Sequence, residues 1–155
     1  MPSITFDLLH QLPKVELHCH LDGCLRPESI LDVALKDGVE LPSFDLAELT
    51  SHLKIGKKRG SLVDYIERFD ITLSVMQTPE SLTRFAFELI EDVAQENVRY
   101  NGVRYPPILH QQKGMTLDMA VESVKKGLKK GEKKFGVKSG IIVCGIRHIS
   151  PAASL

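Results

Sequence analysis

Along the chain, short apolar or alternating runs are separated by longer stretches in which apolar residues return every three or four positions. The first kind predicts strands and the second helices, because side chains alternate across a strand but recur on one helix face at a period near 3.6. Strands are expected at "KVELHCH" (residues 14 to 20), "VRYNGVRY" (98 to 105) and "GIIVCGIRH" (140 to 148). A helix of about three turns is expected over "RPESILDVALKDG", with Pro27 suited to its first turn and Gly38 to its stop. In "SFDLAELTSHLKIG", Leu46, Leu49 and Leu53 keep helical spacing behind a Ser43 or Asp45 cap. The clearest helix follows Thr78 and Pro79, where Leu82, Phe85, Ala86, Leu89, Ile90 and Val93 form one stripe. Leu117, Ala120, Val121, Val124 and Leu128 form another before the third strand.

The order strand, helices, strand, helix, strand predicts an α/β fold with parallel strands. Only "ISPAASL" follows the third strand. Three parallel strands need helices on both faces and leave an unpaired edge, so residues 1–155 are expected to form a single, incomplete domain.

Composition narrows the partners. Lys plus Arg and Asp plus Glu are balanced at 20 each, which gives no electrostatic reason to expect nucleic acid or an anionic membrane. The basic run Lys125, Lys126, Lys129, Lys130, Lys133 and Lys134 lies mostly off the apolar stripe, as a solvated helix face does. The apolar run "IIVCGI" is far too short to span a bilayer, and the first residues lack a basic stretch followed by an apolar core. A soluble, cytoplasmic protein with a small-molecule partner is expected. Cys19, Cys24 and Cys144 form no CxxC pair and suit a reducing compartment. Cys19 and Cys24 read as packed thiols, their positions suiting neither a zinc ribbon nor a redox pair.

The first strand also carries candidate chemistry. His18 and His20 share one face of it and Cys19 the other, so two imidazoles converge at its carboxyl end. Ligands and catalytic groups gather at such ends in parallel α/β folds. Neutral imidazoles bind zinc at about 2.0 to 2.1 Å, a catalytic zinc taking about three protein ligands and a water. A hydrogen-bonded histidine pair at a strand end is the other reading of the bare motif. Asp22, before Gly23, reads equally as a turn residue bonding its own backbone.

The longer stretch "LPKVELHCHLDGCLRPESI" (12 to 30) resembles the N-terminal signature of the adenosine deaminase family, zinc-dependent amidohydrolases that convert adenosine to inosine. "SLVDYIERFD", "VRYNGVRYPP" and "GLKKGEKKFGVKSGIIVCGIRH" resemble that family in the same order, so the resemblance covers essentially the whole chain. It implies the N-terminal part of a (β/α)8 TIM barrel, about the first three strands and their helices, not closed within this chain. It implies His18 and His20 as the first two zinc ligands and Asp22 as the residue that binds the ribose 5'-hydroxyl. Relatives acting on free adenine tend to have glutamate there, so "HLDG" favours a nucleoside. Leu62, Tyr65, Ile66 and Phe69, at helical spacing, fall where the family has an apolar lid over the purine, although the same spacing fits an ordinary buried face.

The remaining machinery of the family, a His-Ala-Gly-Glu segment, a further histidine and an Asp-Asp pair, is not found in these residues, and no catalytic acid or base is assigned within the chain. Alone it is expected to be inactive. The missing C-terminal half, or self-association through an open sheet edge, is the expected protein partner. Two alternatives accompany this reading: a non-catalytic fragment that associates with another chain, and a deaminase of a modified adenine nucleoside or nucleotide. Three departures from the family pattern stand out: Gly102 where an acidic residue is usual, Pro106 where serine is usual, and Gly145 within the expected third strand.

Overall fold

The computed structural model describes residues 4–54, 62–147 and 149–154, with the backbone alone described at 62–67 and 154. A short helix α1 (Phe6–Gln11), capped by the Thr5 side chain, leads into strand β1 (Lys14–His20). The Lys14 ammonium fixes the entry to β1 by donating to the carbonyls of His10, Leu12 and Glu96 at 2.8–3.1 Å. A single 3-10 turn, Leu21–Gly23, then hands over to α2 (Pro27–Asp37). Pro27 starts α2, and Gly38, at φ 65°, stops it in the left-handed conformation that glycine tolerates best.

Helix α3 (Leu46–Leu53) begins at Asp45, whose carboxylate accepts from Glu48 N at 2.9 Å. The other cap candidate, Ser43, bonds the Glu48 side chain instead. Helix α4 (Leu62–Val75) precedes α5 (Pro79–Gln95), which starts on a reciprocal Thr78–Ser81 capping box. Strand β2 (Val98–Tyr105), a 3-10 turn at Pro107–His110, helix α6 (Leu117–Phe135), strand β3 (Lys138–Val143) and a final turn of helix, α7 (Pro151–Ser154), complete the order.

The sheet runs β1-β2-β3 and both pairings are parallel. Strand β3 is shorter than its sequence suggests. Its ladder starts at Lys138 opposite Tyr100 and ends at Val143 opposite Tyr105. A last bond from Cys144 N to Tyr105 O (3.1 Å) closes it. Pairing stops where β2 stops, so Gly145 lies beyond the strand and does not interrupt it.

The core fills the space between one face of the sheet and the helices. Val103 and Tyr105 from β2, Ile30 and Val33 from α2, Leu82, Phe85 and Ile90 from α5, and Val124 and Leu128 from α6 are all buried there. Helices α5 and α6 approach unusually closely. A β-carbon at Gly127 would lie 2.3 Å from Thr83 O, and one at Gly131 would lie 2.6 Å from Ile90 Cβ. Thr83 Oγ1 donates across the same contact to Ser123 O. The lysines of α6 lie off the apolar stripe and, Lys125 apart, are exposed; Lys134 reaches back over the Phe87 ring of α5, 5.3 Å from its centroid. The β1 edge is uncovered: Val15 and Leu17 are 62% and 65% exposed. Among the described residues no helix is long and apolar enough to cross a membrane.

Candidate functional site

The histidine pair sits at an irregular stretch of β1. Pairing with β2 slips between Glu16 and Cys19, leaving Leu17 and His18 outside the regular register. Backbone groups freed from a ladder need other partners. Glu16 Oε1 accepts from His18 N at 2.8 Å, and Arg104 Nη2 donates to Leu17 O at 3.0 Å. Across the slip, a β-carbon at Gly102 would come within 3.1 Å of Leu17 O. The departure to glycine at this position therefore leaves room for the bent β1 backbone.

From that stretch the two rings stack, with centroids 5.1 Å apart and Nε2 atoms 3.1 Å apart. Both side chains are exposed while Cys19, between them, is buried on the opposite face. A separation of 3.1 Å allows one N–H···N hydrogen bond when the pair is bare. It is also close to the roughly 3.3 Å that two nitrogens of one tetrahedral zinc require at bond lengths of about 2.0–2.1 Å. The residues present therefore fit a shared zinc ion as two of its ligands. Among the described residues no third His, Cys, Asp or Glu joins them in a group suited to a metal.

Asp22 follows in the 3-10 turn, only 6% exposed. Its Oδ1 has no hydrogen-bond partner and lies 3.9 Å from His20 Nδ1. Burial pushes its carboxyl above the ordinary carboxylate range, against the opposing pull of His20 and of the turn's own amides. A buried acceptor without a partner is costly in a finished structure and is suited to a ligand hydroxyl. Asp22 borders two clefts that share the Phe69 ring. One, of about 580 Å³, is also lined by His20, Leu73, Leu109 and Cys144. The other, of about 280 Å³, is lined by Leu25, Leu53, Arg68 and Thr72. Phe69 is half-buried, and its ring edge lies 3.6 Å from where a Gly23 β-carbon would stand. Glycine at 23 thus lets the ring reach the turn.

Leu62, Tyr65 and Ile66 lie on α4, but their side chains fall outside the described residues. His148 is outside them altogether. His52 is exposed on α3. His110 is buried away from the histidine pair: its Nδ1 donates to Met76 O at 3.0 Å, and burial holds its pKa down to about 4. Sequence reasoning missed Asp70, Leu73, Leu109 and Ile146, which complete the 580 Å³ cleft. Asp70 closes a segment already singled out. The others carry no motif and meet only because α4 and the segments after β2 and β3 end on the same side of the sheet. Cys19 and Cys24, read from the sequence as packed thiols whose spacing marks no pair, are free and lie in contact with one another. Their Sγ atoms are 3.5 Å apart, and the contact draws the Cys19 thiol down to about 7 while it pushes Cys24 up.

The family model for adenosine deaminase matches residues 13–155. An adenosine deaminase of Clostridium botulinum (strain Loch Maree) is 47% identical over 139 residues, covering 90% of this chain and 42% of that protein. The chain thus spans about two fifths of the length of the curated relatives it matches. A zinc-bound amidohydrolase structure from Burkholderia ambifaria superposes with a TM-score of 0.80 at 26% identity, covering 98% of this chain and 42% of that one. An adenine deaminase structure from Arthrobacter aurescens gives 0.73 at 29% identity, covering 83% and 38%. The open parallel sheet and its helices match the N-terminal part of the TIM-barrel amidohydrolase fold.

Proposed function

Because this chain belongs to the adenosine deaminase family, we propose that it carries the first part of a zinc-dependent site that deaminates adenosine or 2'-deoxyadenosine to the corresponding inosine. The observation that carries the proposal is the convergence of His18 and His20 Nε2, 3.1 Å apart, beside the unpartnered carboxylate oxygen of buried Asp22. His18 and His20 hold the metal from one strand face. Zinc bound there supplies the Lewis acidity that lets water act as a nucleophile near neutral pH. Overall, water replaces the amino group of the adenine ring and ammonia is released.

The chain's other residues bind and orient. Asp22 Oδ1 accepts a hydrogen bond from the ribose 5'-hydroxyl, relieving the cost of its burial. Phe69 packs on the purine and excludes water from the cleft; a lid role for Leu62 and Tyr65 rests on the family resemblance alone. The aspartate, one methylene shorter than the glutamate of adenine-acting relatives, favours a nucleoside over the free base. Asp22 does not separate adenosine from a modified adenine nucleoside or nucleotide, which stays the alternative substrate. On this reading the proton donor and the later zinc ligands lie outside these residues, and the chain alone is inactive. A cytoplasmic place in purine salvage goes with this reading, three free thiols suiting a reducing compartment.

Equilibrium dialysis and adenosine absorbance test the proposal together. The chain is expected to bind one zinc weakly, to lose it in His18→Ala and in His20→Ala, and to leave adenosine absorbance constant. Zinc binding unchanged in both variants would sink the ligand assignment. Turnover at an enzyme-like rate would sink the claim that the acid and the remaining ligands lie elsewhere.

A second reading is favoured by the exposure of Val15 and Leu17 on the β1 edge. The edge pairs with the rest of the barrel, or with a second copy, whether or not zinc is present.

A further inference from the structure

We infer that Cys19 and Cys24 form a modification site, a thiol pair that peroxide closes into a disulfide around the turn bearing His20 and Asp22. Five positions separate the two in sequence, and nothing in that spacing marks a pair. The 3-10 turn brings them together. Cys24 N donates back to Leu21 O at 3.2 Å, which reverses the chain and sets Cys24 Sγ 3.5 Å from Cys19 Sγ. A disulfide needs about 2.05 Å, so closure requires the sulfurs to approach by roughly 1.5 Å. Cys24 can supply that movement, since it lies past the end of the turn, before α2 begins at Pro27, and its side chain is exposed. Cys19 is anchored in β1 and buried.

The two roles differ accordingly. Hydrogen peroxide reaches exposed Cys24 first: its sulfur takes one peroxide oxygen, becoming a sulfenic acid, and one water leaves. The Cys19 sulfur then attacks the Cys24 sulfur. An S–S bond forms, the S–O bond breaks, and the hydroxyl departs with the Cys19 proton as a second water. Two thiols are oxidised and one peroxide is reduced. The third thiol, Cys144, contacts the Ile142 carbonyl and is not part of the pair. The ring so closed contains His20, Leu21, Asp22 and Gly23. It ties the strand end to the turn on the face opposite the imidazoles. The inference does not depend on zinc binding at the histidines.

The test is peptide mapping of the reduced full chain after brief peroxide treatment, quenching with iodoacetamide and digestion with trypsin. The tryptic peptide Val15–Lys36 holds both thiols and lacks Cys144, because trypsin spares the Arg26–Pro27 bond. It is expected two hydrogens lighter and unalkylated, and doubly alkylated again if dithiothreitol precedes the quench. Cys24→Ser should give no light peptide, whereas Cys144→Ser should still give it. Over-oxidation of Cys24 with Cys19 left alkylatable, or disulfide-linked dimers in place of the light peptide, would overturn the inference.

Discussion

His110 is fully buried, with one ring nitrogen bonded to Met76 O and Nε2 facing no acceptor. Protonating it would place a charge in the core with half its donors unanswered, which is why burial depresses its pKa from 6.5 to about 4. The unfolded chain takes up that proton first. His110 therefore contributes stability that is fully present above about pH 6.5 and is lost as pH falls to about 4, by about 3 kcal/mol in all. Urea unfolding across that range should show the loss. In His110→Asn, which keeps a donor for Met76 O but cannot titrate there, the slope should flatten even though stability at pH 7 drops. An equally steep profile would assign the acid lability to other groups. At the same scale, Asp22→Ala should cost nucleoside affinity in the completed site while sparing zinc, because the carboxylate is within reach of the cleft and 3.9 Å from the nearer histidine's far nitrogen. Zinc titration and nucleoside binding, measured separately on that variant, distinguish the two effects.

At the scale of elements, the α5–α6 seam depends on two glycines one helical turn apart. In Gly127→Ala the new methyl meets the Thr83 carbonyl, which is backbone and cannot rotate away. Better helix propensity offsets about 1 kcal/mol, and the net loss should be about 2 kcal/mol, read by thermal unfolding. Gly131→Ala should cost about as much, since it meets Ile90 Cβ, which no rotamer change moves away. These glycines were silent in the sequence, because periodicity reports which residues face inward and not how near the neighbouring helix comes. The helices with punctuation were legible: Pro27 and Gly38 bound α2, and Thr78 and Pro79 begin α5 as expected. The site was legible where alternation alone decides it, at His18, Cys19 and His20. It was not legible where the chain reverses, since no periodicity links Cys19 to Cys24 or Asp70 to Asp22. The end of β3 was misplaced because its length is set by its partner, Tyr105, and not by its own apolar residues.

At the scale of the molecule, β1 and β3 are both open edges, and the apolar face of β1 is bare at Val15 and Leu17. Such a surface is expected to draw the chain into oligomers. Val15→Lys together with Leu17→Lys should return it to a monomer in sedimentation without lowering helix content. A double variant that still associates would exclude this face. Zinc affinity should rise when the rest of the barrel is supplied as a second polypeptide, because two imidazoles leave a catalytic zinc short of ligands. Unchanged affinity on addition would count against a shared site. The order of the strands has a further consequence for biosynthesis. Each strand pairs with the strand that precedes it in the chain, and β1 waits for β2 across four helices. A nascent chain can bury β2 on β1 while α6 is still being translated, and the histidine pair is set on its strand before β3 is made.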